Sequence, residues 1–173
     1  MIDEAEIMKQ ESRPLSNDDL FRMTDGKVNV YTYDELDNFK TLDEALDPYG
    51  SMIILYESKP HVGHWVAVNK IGPDLVEFFD PYSVRPDKEF KWVSQNYKKF
   101  PRLSQLMKES PYKLSYNEHK FQKWRKGVNT CGRFAVLRVI LKNKSLKEFN
   151  DMMTSTKYDP DFLATYLTEN LLT

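Results

Sequence analysis

Cysteine is almost absent from this chain, with one residue, Cys131, in 173. An intramolecular disulfide is therefore impossible, and nothing suggests an oxidising compartment. Long apolar runs are missing too. The longest, Phe134 to Leu141, is interrupted by Arg138 and falls short of the ~20 residues needed to span a bilayer. The N-terminal stretch MIDEAEIMKQESRP lacks the basic start and apolar centre of a signal peptide. There is no excess of one charge sign either, since 25 Lys and Arg face 26 Asp and Glu for a net charge of −1. Any binding of nucleic acid must then be local. No internal repeat, low-complexity tract or Gly/Ser/Pro linker divides the sequence. These absences lead to the expectation of a soluble, intracellular protein made of one domain over residues 1–173.

What is present fits that expectation. Apolar residues make up 40% and charged residues 29%, a globular balance. The first dozen residues read as a short acidic helix or a loose arm within residues 1–15. Ser16, followed by Asp18 and Asp19, looks like the N-cap of a helix running to about Met23. Val28–Tyr33 alternates as a strand, and Tyr33–Phe39 and Leu42–Leu46 read as helical pieces. Met52–Glu57 is a continuous apolar run suited to a strand covered on both faces. His64–Ile71 and Leu75–Asp80, joined by Gly72-Pro73-Asp74, form an antiparallel hairpin. Lys88–Phe100 and Arg102–Glu109 look helical, and Tyr112–Tyr116 reads as a strand. Cys131–Lys142 is apolar around most of its circumference, as a buried helix is. Lys144–Met153 and Pro160–Leu172 complete the chain as amphipathic helices. The order predicts an α+β fold.

The chemistry centres on Cys131. A lone intracellular cysteine is usually a small buried hydrophobe, but this one follows the capping sequence Asn129-Thr130 and opens an apolar helix. There, unpaired backbone N–H groups and the helix dipole stabilise a thiolate. Gly132 beside it removes a Cβ where a substrate carbonyl approaches the backbone. A nucleophile needs a base, and of three histidines His64, within Gly63-His64-Trp65, has the best setting; spacing alone leaves His61 and His119 open. Val76, Phe78 and Asp80 share one face of a strand, which places the Asp80 carboxylate to accept an imidazole N–H. Read alone, Asp80-Pro81 merely ends a strand. Gln122, nine positions before Cys131, can return beside the helix start and donate to an oxyanion; Gln105 and Gln95 compete by composition.

The order His, Asp, Gln, Cys and its local spelling resemble the adenovirus-protease and SUMO-protease superfamily of cysteine peptidases. The nearest likeness is to the maturation proteases of virophages, polinton-like elements and large DNA viruses. The matching strings are Gly63-His64-Trp65-Val66, Phe78-Phe79-Asp80-Pro81-Tyr82, Gln122, and Thr130-Cys131-Gly132-Arg133-Phe134, within segments running from about Val30 to Leu141. The resemblance implies an adenain-like fold, a central mixed sheet with the cysteine helix packed against it and His64 and Asp80 across a cleft. It implies a thiol endopeptidase with catalytic His64, Asp80, Gln122 and Cys131, needing no metal or cofactor. Its substrates would be capsid or other virion precursor proteins, cut after small residues such as Gly, in the host cytoplasm, a viral factory or the virion. The alternatives are a protease for ubiquitin-like modifiers and a non-catalytic binding module of the same fold. Trp65 is expected to roof His64 and, with Gly132, to contact substrate; a plain core tryptophan is the other reading. Arg133 and Arg138 follow Cys131 on its helix; Arg133 reads as an exposed helix charge or, alternatively, as the partner of a carboxylate near the cleft. Lys120, Lys123, Arg125 and Lys126, interleaved with Phe121 and Trp124, offer a site for a DNA or peptide activator. The protein is expected to act as a monomer, away from membranes.

Overall fold

The β-branched and aromatic run after the cis Asp47-Pro48 bond builds the centre of the molecule. The computed structural model describes residues 2–92 and 100–172. Among these, five strands form one sheet in sequence order: β1 (Asn29–Thr32), β2 (Ser51–Lys59), β3 (Val62–Ile71), β4 (Leu75–Phe79) and β5 (Lys113–Tyr116). β3 is antiparallel to both β2 and β4, whereas β1 pairs with β2, and β5 with β4, in parallel. The sheet is therefore mixed, with β3 the one reversed strand.

Parallel neighbours require crossovers, and a crossover has a preferred hand. Both here move one strand in the same direction across the sheet, so both fall on one face. The first carries the 3₁₀ segment Tyr33–Asn38 and helix α3 (Leu42–Leu46); the second carries the 3₁₀ segment Lys88–Trp92 and helix α4 (Arg102–Glu109). The helix expected over Lys88–Phe100 thus opens as a 3₁₀ turn, and residues 93–99 lie outside the described residues. Leu36, Leu42, Leu46, Leu103 and Met107 pack on this side against Met52, Ile54, Val66, Val68, Val76 and Phe78.

The period of two sends the alternate residues Ile53, Leu55, Trp65, Ala67 and Phe79 to the opposite face. There they meet helix α5 (Cys131–Ile140), whose Phe134, Ala135 and Val136 are buried. Helices α6 (Leu146–Thr154) and α7 (Pro160–Glu169) close over α5. The N-terminal residues are docked: α1 (Glu4–Gln10) buries Ile7, and α2 (Asn17–Met23) starts with a reciprocal capping box between Ser16 and Asp19. No helix among the described residues is long and apolar enough to cross a membrane.

Both α5 arginines are buried, and the exposed-charge reading of Arg133 gives way to its alternative, a pair with a carboxylate. Arg138 is buried and paired through two nitrogens with Glu77 of β4, at 2.6 and 2.8 Å. Arg133 is buried against Glu169 of α7 at 2.8 Å and the Thr168 hydroxyl at 2.8 Å. Every face of α5 is covered, so each guanidinium has to find a carboxylate inside.

Candidate active site

Four elements end at one edge of the sheet: the C-terminal ends of β2 and β4, the start of β3 and the start of α5. The cavity between them, 190 Å³, is lined by His64, Gln122 and Cys131, together with Tyr56, Tyr82, Glu89 and Trp124. Gly63 delivers the histidine. A Cβ there would lie 1.9 Å from the Tyr56 carbonyl oxygen, so only glycine allows β2 and β3 to approach so closely at the bulge between Glu57 and Lys59.

The His64 ring is held on both sides. Its Nε2 lies 2.9 Å from Asp80 Oδ1, and Cys131 is within hydrogen-bonding reach of the same ring. With Nε2 engaged by Asp80, Nδ1 is the nitrogen that faces the sulfur. Tyr82 stacks on the ring at 4.9 Å and 19°. Burial alone disfavours the imidazolium, but the Asp80 carboxylate and Cys131 outweigh it and raise the His64 pKa to about 10. Asp80 is fully buried, and burial works against its charge. The His64 ring, Glu89 and the Tyr82 N–H (2.7 Å) overcome this and hold its carboxyl below the usual range.

Cys131 Sγ accepts the Trp65 backbone N–H at 3.5 Å. Its own N–H lies in the first turn of α5, where no intrahelical acceptor exists. Gln122 is carried past the same point by the loop after β5. The Asn117 side chain grips the backbone of Asp80 at both N–H (2.9 Å) and C=O (2.7 Å). The N–H groups of Phe121 and Gln122 both donate to Pro81 O. Asp161 of α7 then takes the Lys123 N–H and the Thr130 hydroxyl, clamping the loop on both sides of the gap from Gln122 to Cys131. Among the described residues, the Gln122 side-chain amide makes no hydrogen bond, and its Oε1 is buried without a donor.

The structure thus brings Cys131, His64 and Gln122 to one cavity, with Asp80 buried behind His64. It places their competitors elsewhere. His61 sits exposed at the β2–β3 turn with φ 60°, and exposed His119 packs edge-on against Phe121. Gln105 bonds Arg102 and Glu109 on α4, and Gln95 lies outside the described residues. Trp65 and Gly132 do not take the substrate-facing places expected of them. Trp65 is on the α5 face by the alternation of β3, with its indole N–H on Leu15 O at 3.2 Å. A Cβ on Gly132 would meet Trp65 Cδ1 at 3.1 Å and Leu15 Cβ at 3.3 Å, so this glycine makes room for packing. The aromatic neighbours of His64 are instead Tyr82 and, beyond it, Trp124.

The basic run is partly neutralised within the chain. Lys123 pairs with Asp159, Arg125 lies 3.6 Å from Glu11, and Lys120 sits over the Tyr82 ring at 5.6 Å. A polyanion would compete with those acidic groups. Sequence reasoning passed over Glu89, Asn117 and Tyr82. Only Tyr82, in the string Phe78–Tyr82, carried a signal.

No protein-family model matches the chain. Among solved structures, the ASFV pS273R protease superposes with a TM-score of 0.49 at 15% identity, covering 92% of this chain and 68% of its own. The uncharacterized protein V9 of the Sputnik virophage is 38% identical over 172 residues, spanning 94% of this chain and 98% of V9. The chain therefore belongs to the family of that virophage protein.

Proposed function

We propose that this protein is a cysteine endopeptidase that processes virion precursor proteins. The observation that carries the reading is the His64 ring, bound to buried Asp80 at 2.9 Å through one nitrogen and facing Cys131 with the other. In the reaction, the Cys131 thiolate, paired with the His64 imidazolium, attacks the scissile carbonyl carbon. The oxyanion is held by the Cys131 N–H and the Gln122 amide, each such donor contributing about 3–4 kcal/mol. The C–N bond breaks as the imidazolium protonates the leaving amine. Water, losing a proton to His64, then hydrolyses the thioester and restores the thiolate–imidazolium pair. Asp80 keeps the ring oriented and stabilises its cationic form.

A virophage relative of nearly the same length supports a viral setting. The small cavity, walled by Tyr82 and Trp124, favours glycine or another small residue before the cut. Incubating the purified protein with capsid and other virion proteins of its own genome, and sequencing the new termini, tests this. Cleavage after small residues by the wild type, absent with Cys131→Ala, is expected. Intact virion proteins combined with cutting of a ubiquitin-like fusion after its terminal glycines would move the substrate class to modifiers. No cleavage of either would leave a binding module.

A further inference from the structure

Glu89 is a carboxyl group with no ordinary partner. It is fully buried, yet it lines the cavity beside His64 and Cys131. No other side chain among the described residues donates a hydrogen bond to either of its oxygens or to Asp80 Oδ2, and the one N–H that acts on the Glu89 carboxyl is its own backbone group. The two carboxyl groups lie within hydrogen-bonding reach of each other. Such a contact requires a proton between them, since two carboxylates present acceptors only.

The neighbouring groups leave that proton one place to go. The Tyr56 hydroxyl spends its hydrogen on Asp87 Oδ1 at 2.8 Å, where the Tyr33 hydroxyl also donates at 2.8 Å. Asp87 Oδ2 takes the Ser104 N–H at 2.8 Å. Asp80 Oδ1 is occupied by His64 and the Tyr82 N–H. Asp87 itself is held in the left-handed region, φ 67°, two residues before Glu89. This is uncommon for a residue other than glycine, and the surrounding bonds impose it. The segment is fixed so that Glu89 points at Asp80.

We propose that Glu89 is a positioning residue of this site: as a neutral acid it donates its O–H to Asp80 Oδ2 and so holds Oδ1 against His64. The arrangement rests on the thiol-peptidase reading for its purpose and on the buried carboxyl pair for its existence. Burial first, and then the adjacent Asp80 charge, push the Glu89 pKa far above the carboxylate range. The other ionisable groups facing it, Tyr56, His64, Asp87 and Cys131, leave the neutral form favoured; ionised, it would add a third carboxylate beside a single imidazolium.

Two measurements on the full-length protein test this, and neither needs a substrate. The first is infrared difference spectroscopy of wild type against Glu89→Gln at neutral and mildly alkaline pH. It should show the carbonyl stretch of a protonated acid in the wild type alone; absence of that band overturns the proposal, even if Glu89→Ala does not fold. The second is the rate of Cys131 alkylation by iodoacetamide across pH. The acidic limb for Glu89→Gln, which keeps a donor, should overlay the wild type. That for Glu89→Ala should move up by about one pH unit or more, because Asp80 binds its proton more tightly without the donor. Overlay of the Glu89→Ala limb with wild type, or an equal shift in Glu89→Gln, contradicts the proposal. A protein that cuts nothing but shows the band and the shift leaves the pair intact and removes only the peptidase reading.

Discussion

At the scale of single residues, the account turns on His64 holding two partners at once. Cys131→Ala and His64→Ala should each lower peptide cleavage by on the order of 10³-fold or more, with circular dichroism unchanged. Asp80→Asn should cost less, since its amide still contacts the ring. The raised His64 pKa, about 10, also makes a stability statement. The unfolded histidine titrates near 6.5, so the protonated ring contributes fully below that pH. The contribution fades as pH rises through about 10, at up to about 1.4 kcal/mol per unit before solvent screening. Denaturant unfolding of wild type and His64→Gln should therefore converge between neutral and alkaline pH; a gap that stays constant would place no ion pair at the ring. The grouping of Cys131, His64, Asp80 and Gln122 was suggested by their order and spelling taken together, whereas the local sequence around Asp80 or Gln122 alone reads as a strand end or a solvated loop. Glu89 was not, since a glutamate between Lys88 and Phe90 reads as a solvated helix charge and its partner is fixed by the tertiary fold alone.

At the scale of elements, α5 is anchored by ion pairs rather than by its apolar surface alone. Arg138→Ala leaves Glu77 buried without a partner and should cost about 3–5 kcal/mol in urea unfolding, whereas replacing both members by apolar residues should cost much less. Equal losses in the single and double variants would show that the pair is not the anchor. Gly132→Ala pushes a methyl group toward Trp65 and Leu15 and should destabilise the fold by about 1–3 kcal/mol. Loss of cleavage without loss of stability would return Gly132 to a substrate-contacting role. The β3–β4 hairpin and the cysteine helix were readable from periodicity and turn chemistry. The parallel pairings of β1 and β5 were not, because crossovers leave no local signal. The burial of Arg133 and Arg138 was equally hidden, as Glu169 and Glu77 lie far away along the chain.

At the scale of the whole molecule, two crossovers on one face leave the other free for α5. The N-terminal helices and α7 then press the cysteine end of α5 into place through Leu15, Asp161 and Glu169. Those terminal segments carry no motif, yet they form the frame for Cys131 and Gln122. The most direct test of the central claim is to expose the intact protein to a peptidyl electrophile ending in glycine and to map the adduct by mass spectrometry. Covalent capture at Cys131, at a rate that His64→Ala lowers by on the order of 10²-fold or more, is the predicted result. Capture unaffected by His64→Ala, or no adduct at Cys131 in the folded protein, would contradict the account.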